Sequence, residues 1–290
     1  MPTQDLSREL FGRRFQNPIV LAAGTAGFGQ ELEGVMDLDR LGGLVTKAVS
    51  LEPRTGNAPP RVAEFPGGML NSVGLANPGV ARVRDFYLPW LAARKSRAHV
   101  IVNVVGFTVE EYAEVVGRLD GSPVIAAFEL NLSCPNTNAG GIEFGADAEC
   151  VRRIVAHCRR RTRVPLIAKL SPILPDIAGM ALVARDAGAD AISAVNTLPG
   201  LLFEANAGPR LGNGNGGVSG PALLPLGVLA VARILERTGM PVIGVGGVRS
   251  AADVRQYLKV GASLVGLGTG ALADPRLPER IVGDLERGHG

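Results

Sequence analysis

The 290-residue sequence is 46% hydrophobic and 20% charged, proportions of a water-soluble globular chain long enough for a large buried core. Its formal charge of +3 is small for this length, and no basic stripe with interleaved aromatics points to nucleic acid. Glycine, proline or charge interrupts every apolar stretch before membrane-spanning length, and the start MPTQDLSREL carries no secretory signal, so a cytoplasmic chain is expected.

Along the chain one unit repeats: a short β-branched run, a polar or glycine-rich turn, then an amphipathic helical stretch. The predicted strands are 18–24, 43–49, 99–106, 124–133, 165–172, 191–198, 241–248 and 263–270. The predicted helices include 109–119, 146–161, 176–187, 223–238 and 251–260. Continuous apolar strands alternating with helices predict a parallel sheet covered on both faces. Eight such units fit an α/β fold of the (β/α)8 TIM barrel type better than an open doubly wound sheet, although closure is not legible in sequence. No linker or composition break divides the chain, so one domain over 1–290 is expected. Proline- and glycine-rich excursions at 51–78 and 200–217 follow predicted strands, which puts both over the C-terminal face of a barrel.

In a parallel barrel the C-terminal strand ends converge on one mouth. The polar residues there are Lys47, Asn103, Asn131, Cys134, Asn136, Lys169, Ser171, Asn196 and Thr197, and the first excursion adds Asn71 and Asn77. A single asparagine at a strand end is as readily turn chemistry. Two lysines and several asparagines in one cavity instead call for a ligand that answers their hydrogen bonds. The last two strands end in GVGGV (244–248) and GLGTG (266–270), each before a helical stretch. Bare glycine backbone at a helix start accepts a phosphate.

The three histidines, His99, His157 and His289, lie away from the strand ends, so neither a metal nor a histidine-dependent hydrolase is expected. Glu129 lies within its strand with its direction open, and no carboxylate pair occupies the mouth. The run CRRRTRV (158–164) reads as a solvated helix end. Of the three cysteines, Cys150 and Cys158 fall in a helical pattern and read as small core residues. Cys134, in NLSCPNTNAGG (131–141), is on a loop leaving a strand, where a thiol can cover a bound ligand.

ELNLSCPN (129–136) is one of several segments that carry a resemblance. The others are NPIVLAAGTAGFG (17–29), KAVSLEPRTGNAPPRVAEFPGGMLNSVGLANPG (47–79), AKLSP (168–172), VNTLPG (195–200), GGVSGPA (216–222), GVGGV and GTGALADP (268–275). In this order, across 17–275, the chain resembles class 1 dihydroorotate dehydrogenase. The stretch from GNAPPRVAE to LANPG is more similar to the catalytic subunit of the NAD-linked class 1B enzymes than to the fumarate-using class 1A. Class 2 enzymes carry serine where Cys134 stands.

The resemblance implies an FMN-containing barrel that oxidises dihydroorotate to orotate in pyrimidine biosynthesis. It implies that Ala23, Gly24, Lys47, Ala48, Asn103, Asn131, Lys169, Val195 and Gly220 hold FMN, with its phosphate on Gly246, Gly247, Gly268 and Thr269. Orotate is matched by Asn71, Asn131, Asn136, Asn196 and Thr197, and its charge by Lys47 with Ser72, Val73, Gly74 and Leu75. Cys134 is implied as the general base that removes a proton from substrate carbon 5, with Lys47 and Lys169 completing the catalytic set. Also implied are a homodimer and an electron-transfer subunit carrying FAD and an iron–sulfur cluster. The alternatives are an FMN barrel acting on another dihydropyrimidine, fumarate as acceptor, and a non-catalytic flavin- or phosphate-binding barrel. Two positions depart from the family pattern: Ala23 stands for a serine and Val49 for a threonine. One lost hydroxyl contact costs about 0.5–1.5 kcal/mol of FMN affinity, with Thr25 available to compensate.

Overall fold

The computed structural model describes residues 5–132, 144–205 and 208–288. In chain order its strands begin β1 (Arg8–Leu10), β2 (Arg13–Phe15), β3 (Ile19–Leu21), β4 (Gly43–Val45), β5 (Val62–Phe65), β6 (Gly68–Asn71) and β7 (His99–Val104). They continue as β8 (Ile125–Asn131), β9 (Leu166–Leu170), β10 (Ala191–Ala194), β11 (Leu198–Gly200), β12 (Gly216–Ser219), β13 (Val242–Val245) and β14 (Leu264–Leu267). Eight of them close into a parallel barrel in the order β3-β4-β7-β8-β9-β10-β13-β14. Closure decides between the barrel and the open sheet.

Side chains alternate across a strand, so each barrel strand sorts its residues into two cores. Val20, Val45, Ile101, Ala127, Ile167, Ala191, Ile243 and Leu264 fill the barrel interior, and the β1–β2 hairpin adds Leu10 and Phe15 to that cluster. The intervening residues, such as Val102, Phe128, Leu130, Ala168 and Ile192, pack outward against the helices. Two residues beyond the apolar interior layer, the inward positions are Asn103, Glu129, Lys169 and Ser193, all buried. The interior therefore turns polar at its C-terminal end.

The helices are α1 (Gly79–Arg82), α2 (Leu88–Arg94), α3 (Val109–Leu119), α4 (Ala148–Arg159), α5 (Ile177–Asp186), α6 (Leu223–Thr238), α7 (Ala251–Lys259), α8 (Thr269–Ala273) and α9 (Leu277–Glu286). Caps set their starts. Thr108 Oγ1 accepts from Glu111 N at 3.2 Å while Glu111 Oε2 accepts from Phe107 N at 2.7 Å. Ser250 and Asp253 repeat the device at α7. Sequence periodicity did not reveal the helical segment from Gly79 to Arg94, because Pro89 reads as a breaker. A π-helical turn at Val83–Tyr87 already interrupts the regular bonding just before that proline. Helix α9 also went unread; its Pro278 lies in the first turn, where no donor is missed.

The two excursions do not remain separate loops. They combine into one antiparallel sheet, β11-β12-β6-β5, with Asn71 in register with Gly217. Thr269 donates its hydroxyl to Ser219 Oγ at 2.6 Å, tying this sheet to the helix that follows β14. The arginine run at the end of α4 is only partly solvated: Arg159 pairs with Asp190 at 2.9 Å and donates to the carbonyls of Thr162 and Val164. Among the described residues, no helix is long and apolar enough to cross a membrane.

Candidate active site

The polar layer is built on adjacent strands. Asn103 on β7 is in register with Glu129 on β8, and Asn131, two residues on, with Lys169 on β9. Asn103 donates Nδ2 to Glu129 Oε1 at 2.7 Å, and the same oxygen lies 3.5 Å from Lys169 Nζ. Glu129 is 2% exposed and Lys169 6%. Sequence reasoning left Glu129 undecided; its even spacing from the interior residue Ala127 was the available signal. Asn196, just past β10, brings its amide to 3.5 Å from Asn131 Oδ1, and its own Oδ1 accepts from Thr197 N.

This layer holds more hydrogen-bonding capacity than the chain uses. Asn103 Oδ1, Ser171 Oγ and Ser193 Oγ are buried with no partner among the described residues. A buried polar group left unmatched costs about 1–3 kcal/mol. Three of them around one buried lysine suit a polar ligand at the mouth.

The other expected residues are held by local contacts. Lys47, half-buried, is anchored by its backbone N–H to Gly27 O at 2.7 Å. Asn71 donates to Gly217 O at 3.0 Å, so its side chain is braced by the mouth sheet. Ser72 donates its N–H to Arg61 O, and Asn57 donates to Ser72 Oγ at 2.8 Å. Leu75 has φ 58, a left-handed conformation that a branched side chain adopts at a cost of about 1–2 kcal/mol. Such strain concentrates at ligand clamps. Ala48, Val195 and Gly220 are buried, Ala23 is half-buried, and Gly24 is exposed with φ 80.

After β13, Gly246 and Gly247 have φ 126 and 76, and a Cβ on Gly247 would lie 2.4 Å from Leu224 N. Only glycine lets the chain turn here against α6. Tyr257 on α7 is fully buried and donates its hydroxyl to Gly246 O at 2.8 Å, which fixes the turn from below. Burial pushes the phenol well above its ordinary range, so it stays a donor. Gly268 has room for a side chain: a Cβ there would make ordinary contact with Ala22 Cβ at 3.8 Å and Thr25 Oγ1 at 3.9 Å. Thr25 is thus beside the second glycine turn.

One expectation is corrected, and one departure from the family pattern is located. Asn77 is buried but spent on structure: it donates to Ser50 Oγ and Leu75 O and accepts from Ser50 N and Gly79 N. Val49 does not face the mouth. Thr46 N and Val49 N donate to Ile101 O and Asn103 O, so three steps on one strand match two on the other. That bulge turns Val49 outward beside Val104, into the helix-facing core. Of the cysteines, Cys158 is buried, whereas Cys150 is half-exposed in the first turn of α4 with its thiol 3.2 Å from Asp147 Oδ2. Cys134 and Asn136 lie outside the described residues.

The family model described as dihydroorotate dehydrogenase matches residues 5–288. Three curated relatives carry the name dihydroorotate dehydrogenase B (NAD(+)), catalytic subunit. The chain is 44% identical to that of Pelobacter propionicus over 284 residues, covering 98% of this chain and 93% of the relative. It is 47% identical to that of Desulforudis audaxviator over 278 residues, covering 95% and 90%. With that of Trichlorobacter lovleyi the identity is 42% over 283 residues, covering 97% and 92%.

Proposed function

Since this chain belongs to the dihydroorotate dehydrogenase family, we infer that it is an FMN-dependent catalytic subunit that oxidises dihydroorotate to orotate in pyrimidine biosynthesis. Its relatives' names, an NAD(+) enzyme's catalytic subunit, favour NAD as the final acceptor, reached through a separate electron-transfer subunit; the family resemblance gives that subunit FAD and an iron–sulfur cluster. The whole chain acts as one FMN-binding unit, cytoplasmic and homodimeric. One observation carries this assignment: a buried lysine and unmatched buried polar atoms line the barrel mouth.

The residues present fit FMN. Lys169 and Asn103 offer a cationic donor and an acceptor to the flavin's polar edge, and Asn131 adds an amide. The glycine turns at Gly246–Gly247 and Gly268–Thr269 offer backbone N–H groups to its phosphate, and at Gly247 a side chain would strike Leu224. Ala23, Gly24, Ala48, Val195 and Gly220 line the remainder. When bound, FMN supplies the two-electron acceptor for the hydride leaving substrate carbon 6.

The chain's own residues do the rest. Cys134, three residues beyond β8, removes the proton from substrate carbon 5 as general base. Lys47 and the backbone of Ser72–Leu75 neutralise and clamp the carboxylate. Asn71, Asn131, Asn136, Asn196 and Thr197 match the amide-like ring edges, whose donors and acceptors alternate as an asparagine's do. Lys169 stabilises negative charge that develops beside it.

The decisive variant is Cys134→Ala. It should bind FMN and orotate as the parent does while anaerobic reduction by dihydroorotate slows at least about 100-fold, the usual worth of a general base. In the parent that reduction should speed up as pH rises toward about 8.5, where ordinary thiols ionise. Undiminished reduction in the variant would remove the sulfur from the mechanism.

A further inference from the structure

We propose that Glu129 is a positioning residue that orients Asn103 and offsets the charge of Lys169, and so holds down the reduction potential of FMN; this rests on the FMN assignment above. Glu129 and Lys169 are the only buried charged side chains among the described residues. A single oxygen, Glu129 Oε1, accepts from Asn103 Nδ2 at 2.7 Å and lies 3.5 Å from Lys169 Nζ. A carboxylate only accepts, so it fixes which way the amide points. Asn103 Nδ2 is turned inward, and Asn103 Oδ1 is left buried and unpartnered as an acceptor.

No neighbouring strand offers Lys169 another anion. On β10 the residue in register is Ser193, and on β7 the residue beside Glu129 is Asn103. Stability alone does not account for the pair, because well-packed apolar residues commonly serve a core as well as a buried ion pair does. Its effect on a ligand is specific. In a low-dielectric mouth an unopposed lysine favours any species that gains negative charge. Reduced FMN is such a species, and holding it too tightly would keep electrons from the next carrier. Glu129 offsets that preference while leaving the ammonium in place as a donor.

The test is Glu129→Gln in the full chain, which keeps size and an acceptor but removes the charge. FMN is titrated into apoprotein in its oxidised and reduced forms, and the potential of the bound flavin is measured. The preference for reduced over oxidised FMN should rise about tenfold, equivalent to a potential about 30 mV more positive. A purely structural role would not move that ratio. A variant that binds FMN with an unchanged or more negative potential overturns the proposal. A parent protein that takes up no FMN overturns the functional assignment and this proposal with it. Should the single variant fail to fold, the double variant Glu129→Gln, Lys169→Gln removes both charges. Recovery of folded protein then supports the pairing, and continued failure assigns Glu129 to the fold and overturns the proposal.

Discussion

Glu129 and Val49 show how one residue's direction decides its chemistry. Strand alternation from Ala127 puts Glu129 inward, whereas a one-residue bulge puts Val49 outward although Val45 faces in. A sequence displays spacing but not bulges, so the first was half-legible and the second was not. The cysteines separate in the same way. Burial pushes the Cys158 thiol up to about 12, which leaves almost no thiolate at neutral pH. Alkylation at pH 8, followed site by site by mass spectrometry, should leave Cys158 unmodified until denaturant is added. Cys150 is also raised, by burial first and by Asp147 next, and should react slowly.

At the scale of elements, the first glycine turn depends on how α6 and α7 meet behind β13. A Cβ on Gly227 would lie 2.0 Å from Tyr257 Oη, so the helix surface is cut away to admit the ring. Gly227→Ala should destabilise the fold by about 1–3 kcal/mol through overpacking, read as a lower urea midpoint. Tyr257→Phe leaves Gly246 O unmatched and should cost about 1–3 kcal/mol, with weaker FMN binding. A second junction joins the segments before β4 and β7. Asp39 accepts from the Ser96 hydroxyl and from Arg97 N, and these bonds hold its carboxyl below the usual carboxylate range. Because the folded value is lowered, this stabilisation is present above the ordinary value and fades as pH falls through the folded one. Asp39→Asn should therefore lose about 1 kcal/mol at pH 7, and parent and variant should converge in denaturant midpoint as the pH falls below the ordinary carboxylate range. The pattern of helices was legible at 109–119 and 223–238, where periodicity and ends coincide with α3 and α6. The segment from Gly79 to Arg94 was not, since Pro89 reads as a breaker and the π turn before it has no signature in a pattern built on 3.6 residues.

At the scale of the whole molecule, a ligand that binds only the folded barrel stabilises it by mass action. FMN at about 100 times its dissociation constant should add about 2.7 kcal/mol. For a chain of this size that is a Tm increase of about 4 °C, rising with FMN concentration in a thermal melt. No change in melting with FMN would argue against a preformed flavin site. Electron delivery also belongs to this scale. The isolated chain should be reduced by dihydroorotate yet pass electrons to NAD only when an electron-transfer subunit is added, which anaerobic reoxidation measures directly.

By itself the sequence determined the alternation of strands and helices, the eight-unit count, the glycine turns after the last two strands, and the family. Those are local or serial properties: periodicity, spacing and an ordered set of motifs survive in one dimension. Only the tertiary structure decided that the barrel closes, that the two excursions pair into one sheet, and that Asn103, Glu129 and Lys169 share a single oxygen. Each of these depends on register between segments far apart in the chain, and register is set by packing and hydrogen bonding across strands rather than along them.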